Sequence, residues 1–180
     1  DQKRVAMNIL HYARGAKTGY ELACMRLAAD RAARGHVKAQ QAFRDGLSEF
    51  DIHRTYCKAV DHADNELPYA NIVALNEHSS VLHYTSLGRD LPGERLSFLI
   101  DAGAQVHGYA SDFTRTYSNG DTRFQQLIDR MDAMQLEIVG RVAAGVDYRE
   151  LHVDTHRLLA GVLVDAELAD GDPDTLLETG

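Results

Sequence analysis

The first 61 residues carry apolar side chains at the three- and four-residue spacing of amphipathic helices. This spacing predicts one helix over residues 1–14 and another that begins at Thr18, where Thr18 and Glu21 have the spacing of a capping box. Gly46 interrupts the pattern, and a third helix is predicted over residues 48–61. The buried side of the second helix is expected to consist of Leu22, Met25, Ala29 and Ala32.

Between residues 65 and 118 the helical spacing gives way to short apolar runs that are typical of strands. The last two of these strands are joined by a predicted two-residue turn at His107 and Gly108. We predict strands over residues 71–75, 80–84, 96–106 and 109–117.

Helical spacing returns over residues 124–142, and a further helix follows Asp147. A strand block between two helical regions indicates the α+β class. His152 and His156 lie one turn apart on the last helix, which is the spacing of a zinc helix. Because Val153 stands where such helices carry a general-base Glu, we interpret both histidines as structural or solvated.

The predicted hairpin places two aspartates on one face. With a two-residue turn, Asp101 pairs with Thr114 and Gly103 pairs with Asp112. Because side chains alternate along a strand, these four residues share one side of the sheet. Phe98, Ile100, Ala102 and Phe113 share the other side. A three-residue turn would instead move the aspartates to opposite faces.

Two neighbouring carboxylates repel each other unless one is protonated or a cation lies between them. Carboxylate oxygens are preferred ligands of hard divalent metals, so Asp101 and Asp112 are candidate metal ligands. Gly103 would leave room for an ion or substrate, and Thr114 would orient a ligand. The pattern alone is equally compatible with two aspartates on a solvated hairpin.

Composition excludes some functions. The formal net charge of -8 gives no electrostatic basis for binding nucleic acid or an anionic membrane, and neither is expected as a partner. No apolar run approaches the roughly 20 residues of a membrane-spanning helix. Cys24 and Cys57 are interpreted as small buried hydrophobes of a reducing compartment, in preference to a disulfide or metal role.

The hairpin resembles that of a known family. Residues 99–104 have the sequence LIDAGA and residues 111–117 have the sequence SDFTRTY, which is similar to the first metal-ligand hairpin of the pita-bread metallopeptidases. This family includes methionine aminopeptidase, proline aminopeptidase and prolidase. Three further segments resemble the bacterial prolidase branch, which includes organophosphorus acid anhydrolases. They are residues 17–26, 68–78 and 81–84. The resemblance covers nearly the whole chain and implies half of a pita-bread fold.

The resemblance implies a dimetal hydrolase that cleaves Xaa-Pro dipeptides, with organophosphorus esters as a further substrate class. Asp101 would bind one of two divalent ions, and Asp112 would bridge both. Manganese is the expected metal, with cobalt or zinc able to substitute. His83 and Tyr69 would line the substrate pocket. Thr114 would orient a metal ligand without binding the metal itself. The full-length protein is expected to be a cytoplasmic homodimer.

The chain begins at Asp1 without a methionine and stops at Gly180, so we expect the N-terminal half of a catalytic domain, truncated at both ends. The family's remaining ligands, a His and two Glu, would follow Gly180. The isolated chain is therefore expected to be inactive, to carry no complete catalytic group and to expose an apolar sheet surface. Two alternatives remain: a metal-free pita-bread protein-binding module, and a proline or methionine aminopeptidase.

Overall fold

The computed structural model describes residues 2–179, with side chains described for residues 2–177. The chain divides into two compact units, Asp1–Asn119 and Gly120–Gly180. The first unit contains three α-helices and two antiparallel sheets, and the second unit is helical. The predicted α+β class is confirmed.

The helices of the first unit begin where the sequence predicts. The Thr18 hydroxyl accepts the Glu21 backbone N–H at 3.3 Å, and the Glu21 carboxylate accepts the Thr18 N–H at 2.6 Å, which completes the capping box. Ser48 caps the third helix, and Asp61 ends it in the left-handed region with φ 56°. The three helices are α1 (Gln2–Gly15), α2 (Gly19–Arg44) and α3 (Glu49–Val60).

Of the four residues predicted on the buried side of α2, Ala32 is fully buried and Ala29 is half-buried. Leu22 and Met25 are 39% and 36% exposed. Small residues are buried instead, because they let α2 pack closely against its neighbours: a Cβ atom at Gly35 would lie 2.5 Å from the Tyr56 ring. The almost fully buried side chains of α2 include Cys24, Ala28, Ala32, Ala39 and Phe43.

Five strands follow α3. They are β1 (Ile72–Leu75), β2 (Ser97–Ala102), β3 (Gln105–Val106), β4 (Tyr109–Ala110) and β5 (Phe113–Ser118). An antiparallel three-stranded sheet has the order β1-β2-β5, and β3 pairs with β4 in a separate ribbon. The predicted strands over residues 71–75, 96–106 and 109–117 are thus confirmed, although the last two are each interrupted by two residues.

The strand predicted over residues 80–84 is wrong. Asn76–Ser80 form a 3-10 helix, and a turn follows in which the Tyr84 N–H donates to the Val81 carbonyl oxygen at 3.2 Å. The Asn76 side chain accepts a hydrogen bond from the Leu96 N–H at 2.8 Å, which fixes the start of the 3-10 helix. Val81 and Leu82 are 52% and 84% exposed, so the apolar run that suggested a strand is not buried.

The core of this unit lies between α2, α3 and one face of the sheet. Phe98, Ile100 and Ala102 of β2 are fully buried, as predicted, against side chains that include Ile52 and Tyr56 of α3. The expectation of an exposed apolar sheet surface is wrong for the described residues. Their large exposed hydrophobic side chains lie on helices and loops, and none belongs to the three-stranded sheet.

The second unit consists of α4 (Thr122–Arg141), α5 (Tyr148–Asp165) and α6 (Pro173–Thr179). Asp121 and Asp147 cap the first two helices through their side chains, and Gly145 adopts φ 90° between them. Arg141 joins α4 to α5 through an ion pair with Asp154. Among residues 2–179, no helix is both long and apolar enough to cross a membrane.

Candidate metal centre

The hairpin has the predicted register. Gln105 pairs with Ala110 and Val106 with Tyr109 around a two-residue turn, in which His107 and Gly108 both have positive φ. The same register continues into the main sheet, where Asp101 pairs with Thr114. The geometric condition for placing both aspartates on one face is therefore met.

Gly103 allows the two hairpin strands to approach each other closely at the point where their hydrogen-bonded pairing is interrupted. A Cβ atom at this position would lie 2.0 Å from the Ser111 carbonyl oxygen, 3.0 Å from the Tyr69 ring and 3.1 Å from Pro68. The space above Gly103 is thus filled by protein. The expectation that an ion or substrate approaches the backbone here is wrong.

Ser111 anchors the residue before Asp112. Its buried hydroxyl accepts the Ala104 N–H at 3.1 Å and lies 3.1 Å from the Ala28 carbonyl oxygen of α2. The Ser111 N–H also donates to the Ala104 carbonyl oxygen at 2.9 Å. These bonds restrict the backbone next to Asp112. The position of Ser111 directly before the candidate ligand Asp112 is the one sequence signal for this role.

Tyr69 brings the two carboxylates together. Its hydroxyl oxygen lies 2.9 Å from Asp101 Oδ1 and 2.8 Å from Asp112 Oδ1, so the phenol proton is shared between two acceptors. Asp101 is half-buried and Asp112 is exposed. The structure therefore brings three of the five predicted site residues into one hydrogen-bonded cluster.

The electrostatics of Tyr69 keep it a hydrogen-bond donor. Burial raises its pKa far above the ordinary value, and the hydrogen bonds and negative charges of Asp101 and Asp112 raise the pKa further. The phenol therefore stays protonated at any physiological pH. It supplies a neutral donor to two carboxylates that would otherwise repel each other.

The other two predicted site residues lie differently. Thr114 stands beside Asp101 in the sheet, but within the described residues its exposed hydroxyl makes no hydrogen bond to either aspartate. His83 lies in the turn after the 3-10 helix, exposed, with φ 55°. Within the described residues, no hydrogen bond, ion pair or ring contact joins His83 to Tyr69, Asp101 or Asp112.

A buried glutamate fixes the segment that carries His83. Glu49, at the start of α3, is 3% exposed. Its Oε1 accepts the Leu75 N–H at 2.8 Å and lies 2.7 Å from His78 Nδ1. Its Oε2 accepts the Tyr84 hydroxyl and the Gly88 N–H, both at 2.8 Å. Glu49 thus holds residues on both sides of His83.

The hydrogen bonds of Glu49 outweigh its burial. Burial alone would raise its pKa, but bonds from His78, Leu75, Gly88 and Tyr84 together hold the pKa below the ordinary value. Glu49 is therefore an ionised buried acceptor. Sequence reasoning missed it because a glutamate in the first turn of a helix usually faces solvent.

A buried histidine supports the back of the hairpin. His36 of α2 is 5% exposed, and its Nε2 lies 3.0 Å from the carbonyl oxygen of Ala102, between Asp101 and Gly103. Burial lowers the pKa of His36, so the ring is neutral and its Nε2–H donates to Ala102. α2 thereby fixes the strand that presents Asp101.

Comparison with protein families supports the resemblance seen in the sequence. The profile of metallopeptidase family M24 matches residues 23–168. A Xaa-Pro dipeptidase of Xanthomonas campestris pv. campestris (strain B100) is 56% identical over 175 residues, which are 97% of this chain and 40% of that protein. A Xaa-Pro dipeptidase of Shewanella loihica is 51% identical over 174 residues, with the same coverage. The chain spans about 40% of the length of these relatives.

Solved structures show the same fold. Zinc-substituted aminopeptidase P of Escherichia coli, in complex with product, matches with a TM-score of 0.80 at 26% identity. An aminopeptidase of Pseudomonas aeruginosa matches with a TM-score of 0.82 at 28% identity. Each match covers 91% of this chain and 38% of the solved chain. The predicted pita-bread relationship is thereby confirmed.

Proposed function

The chain belongs to metallopeptidase family M24, and from this premise we propose that the full-length protein is a metal-dependent dipeptidase that cleaves Xaa-Pro dipeptides. The convergence of Asp101 and Asp112 on the Tyr69 hydroxyl carries the proposal. Relatives named Xaa-Pro dipeptidase at 51–56% identity support the substrate class.

The donor set fits divalent ions. The carboxylates of Asp101 and Asp112 each have an oxygen within 3 Å of the Tyr69 hydroxyl oxygen, so two hard ligands lie close together. Asp101 would bind one ion and Asp112 would bridge two, with manganese as the first choice and cobalt or zinc as substitutes. Bound divalent ions would lower the pKa of a water molecule and stabilise negative charge on the scissile carbonyl group.

Residues of this chain would position the metal ligands and the substrate. Tyr69 keeps the carboxylates together from one side, and its ring packs over Gly103. Ser111 and His36 restrain the two strands from the side of α2. His83 and Tyr69 are the proposed contacts to the dipeptide, and Glu49 positions the segment of His83. Thr114 remains a proposed orienting residue beside Asp101.

Further proposals about activity, substrates, location and assembly rest on the family resemblance. The isolated chain of residues 1–180 would be inactive because a His and two Glu ligands would lie beyond it. Organophosphorus esters are a proposed further substrate class, since tetrahedral phosphorus resembles the intermediate of peptide hydrolysis. A cytoplasmic location is supported by the two free cysteines, Cys24 and Cys57. The homodimer of the full-length protein rests on the resemblance alone.

The proposal is tested by hydrolysis of Gly-Pro and Leu-Pro by the full-length protein with manganese. Asp112→Asn keeps the shape of the side chain and removes its charge, so activity should fall by at least a hundredfold. Asp132→Asn, an exposed aspartate of α4, is the matched control and should retain parent activity. Parent activity in Asp112→Asn would refute the assignment.

An aminopeptidase acting on longer peptides is the second candidate, because the two solved structures described above are aminopeptidases. A tripeptide such as Gly-Pro-Ala distinguishes the two. The dipeptidase proposal predicts a kcat/KM for Gly-Pro at least tenfold above that for the tripeptide. The reverse order would favour the aminopeptidase.

A further inference from the structure

A second set of metal-ligand side chains lies at the end of α3. His53 and Cys57 are one helical turn apart and both buried. The left-handed Asp61 ends the helix and turns the chain back, so that Asp64 reaches the same point from the following 3-10 helix. One ligand atom from each of the three residues lies within 4.8 Å of the others.

Two of the three distances between the ligand atoms match a tetrahedral zinc site. His53 Nε2 is 2.8 Å from Asp64 Oδ1, and Cys57 Sγ is 3.6 Å from His53 Nε2 and 3.8 Å from Asp64 Oδ1. Zinc–ligand bonds of about 2.0–2.3 Å at tetrahedral angles separate ligand atoms by roughly 3.3–3.8 Å. Only the contact between His53 and Asp64 has to open, and Asp64 is exposed.

A buried amide beside His53 can fix the tautomer of the His53 ring. Asn71 is 4% exposed, and its Oδ1 has no hydrogen-bond partner within the described residues. Its Nδ2 lies 3.4 Å from His53 Nδ1. Rotating the amide by 180° exchanges its nitrogen and oxygen, and Oδ1 would then accept a hydrogen bond from the Nδ1–H group. This tautomer leaves the lone pair of Nε2 directed at Cys57 and Asp64.

That tautomer requires a cation. With the proton on Nδ1, His53 Nε2 and Asp64 Oδ1 would be two acceptors 2.8 Å apart with no proton between them. A metal ion held by Nε2, the Cys57 sulfur and the Asp64 carboxylate satisfies both of these acceptors. A metal-ligating histidine commonly donates its other ring N–H to such an oxygen acceptor.

We propose that His53, Cys57 and Asp64 bind one zinc-type divalent ion, with solvent as the fourth ligand. On binding, the Cys57 thiol loses its proton to solvent and forms a sulfur–metal bond. A mixed nitrogen, sulfur and oxygen set selects zinc or cobalt over manganese. The ion would fasten the end of α3 to the segment that leads from Asp64 to Tyr69.

Cobalt tests the proposal, because only a thiolate ligand gives sulfur-to-cobalt charge-transfer absorption, and the candidate ligands Asp101 and Asp112 carry no sulfur. Metal-free full-length protein is titrated with Co²⁺ and followed in the near ultraviolet. The absorption should appear in the parent, in Asp112→Asn and in Cys24→Ala, which removes the other buried cysteine. Cys57→Ser should abolish it, and Asn71→Leu should weaken cobalt binding about 10–100-fold.

Absence of charge-transfer absorption in the folded parent would overturn the proposal, as would absorption that survives in Cys57→Ser. Thermal unfolding with zinc gives a second readout in the Asp112→Asn background. Zinc should raise the unfolding temperature there and leave Asp112→Asn/Cys57→Ser unchanged. Equal shifts in both proteins, or no shift in either, would show that the three side chains form only a hydrogen-bonded cluster.

Discussion

The carbonyl oxygen of Ser111 lies 2.0 Å from the position that a Cβ atom at Gly103 would occupy. The obstructing atom is backbone, so it cannot move as the end of a side chain can. Ser111 is itself bonded to α2 and to Ala104. The two strands that present Asp101 and Asp112 can therefore approach this closely only with glycine at position 103.

Gly103→Ala should consequently destabilise the protein by about 1–3 kcal/mol, because the strands must separate to admit the methyl group. The displacement should also weaken manganese binding. Denaturant unfolding and metal titration measure both effects. Gly93→Ala is the matched control, because nothing lies within 4 Å of the Cβ position there. Equal stability of the two variants would contradict the packing argument.

Tyr69→Phe should make the protein more dependent on metal. The phenol supplies the proton that both carboxylates share, and without it the metal-free form keeps two repelling charges. Adding a chelator should then lower the stability of Tyr69→Phe by about 1 kcal/mol more than that of the parent. Thermal unfolding with and without chelator measures the difference, and an identical chelator effect in both proteins would count against the bridging role.

Glu49→Gln should destabilise the protein by about 1–3 kcal/mol, because the buried carboxylate accepts four hydrogen bonds that a neutral amide cannot reproduce. Turnover should also fall, since the segment holding His83 loses its anchor. Glu77→Gln, exposed on the same segment, is the control. Unchanged stability in Glu49→Gln would show that the network contributes nothing.

The Glu49 network also predicts a pH dependence. The folded-state pKa lies below the ordinary value of 4.5, so the unfolded state binds more protons as the pH falls. The stabilisation is fully present above about pH 4.5 and is lost below it as the pH approaches the folded pKa. The stability difference between parent and Glu49→Gln should therefore narrow below pH 4.5. A difference that stays constant to pH 3 would contradict the assigned ionisation.

The sequence predicts the hairpin well because its determinants are local. The turn at His107 and Gly108 sets the register, and alternation then places Asp101 and Asp112 on one face. The capping box at Thr18 and Glu21 is equally local. Features of this kind depend on a few neighbouring residues, and the structure confirms them.

Features that depend on distant packing could not be predicted in the same way. The side of α2 that is buried is set by the close approach of Tyr56 to Gly35, not by the largest apolar residues. The exposed run at Val81 and Leu82 has strand-like residues but no strand to pair with. The role of Glu49 depends on partners 26 to 39 residues away.

Spacing alone does not identify a metal site. His152 and His156 have the zinc-helix spacing, and their rings lie 4.5 Å apart, yet no third ligand joins them within the described residues. His53 and Cys57 have the same spacing. Asp64 completes that set only because the chain reverses at Asp61, which the sequence does not show.

The metal content of the full-length protein is a direct measure of manganese binding at Asp101 and Asp112. Metal-free parent, Asp101→Asn, Asp112→Asn, His83→Ala and Asp132→Asn are each equilibrated with manganese by dialysis, and bound metal per chain is measured. We predict parent-level manganese in His83→Ala and Asp132→Asn, and at least tenfold weaker binding in the two ligand variants. Parent-level manganese in Asp112→Asn, or equal loss in His83→Ala, would contradict the account.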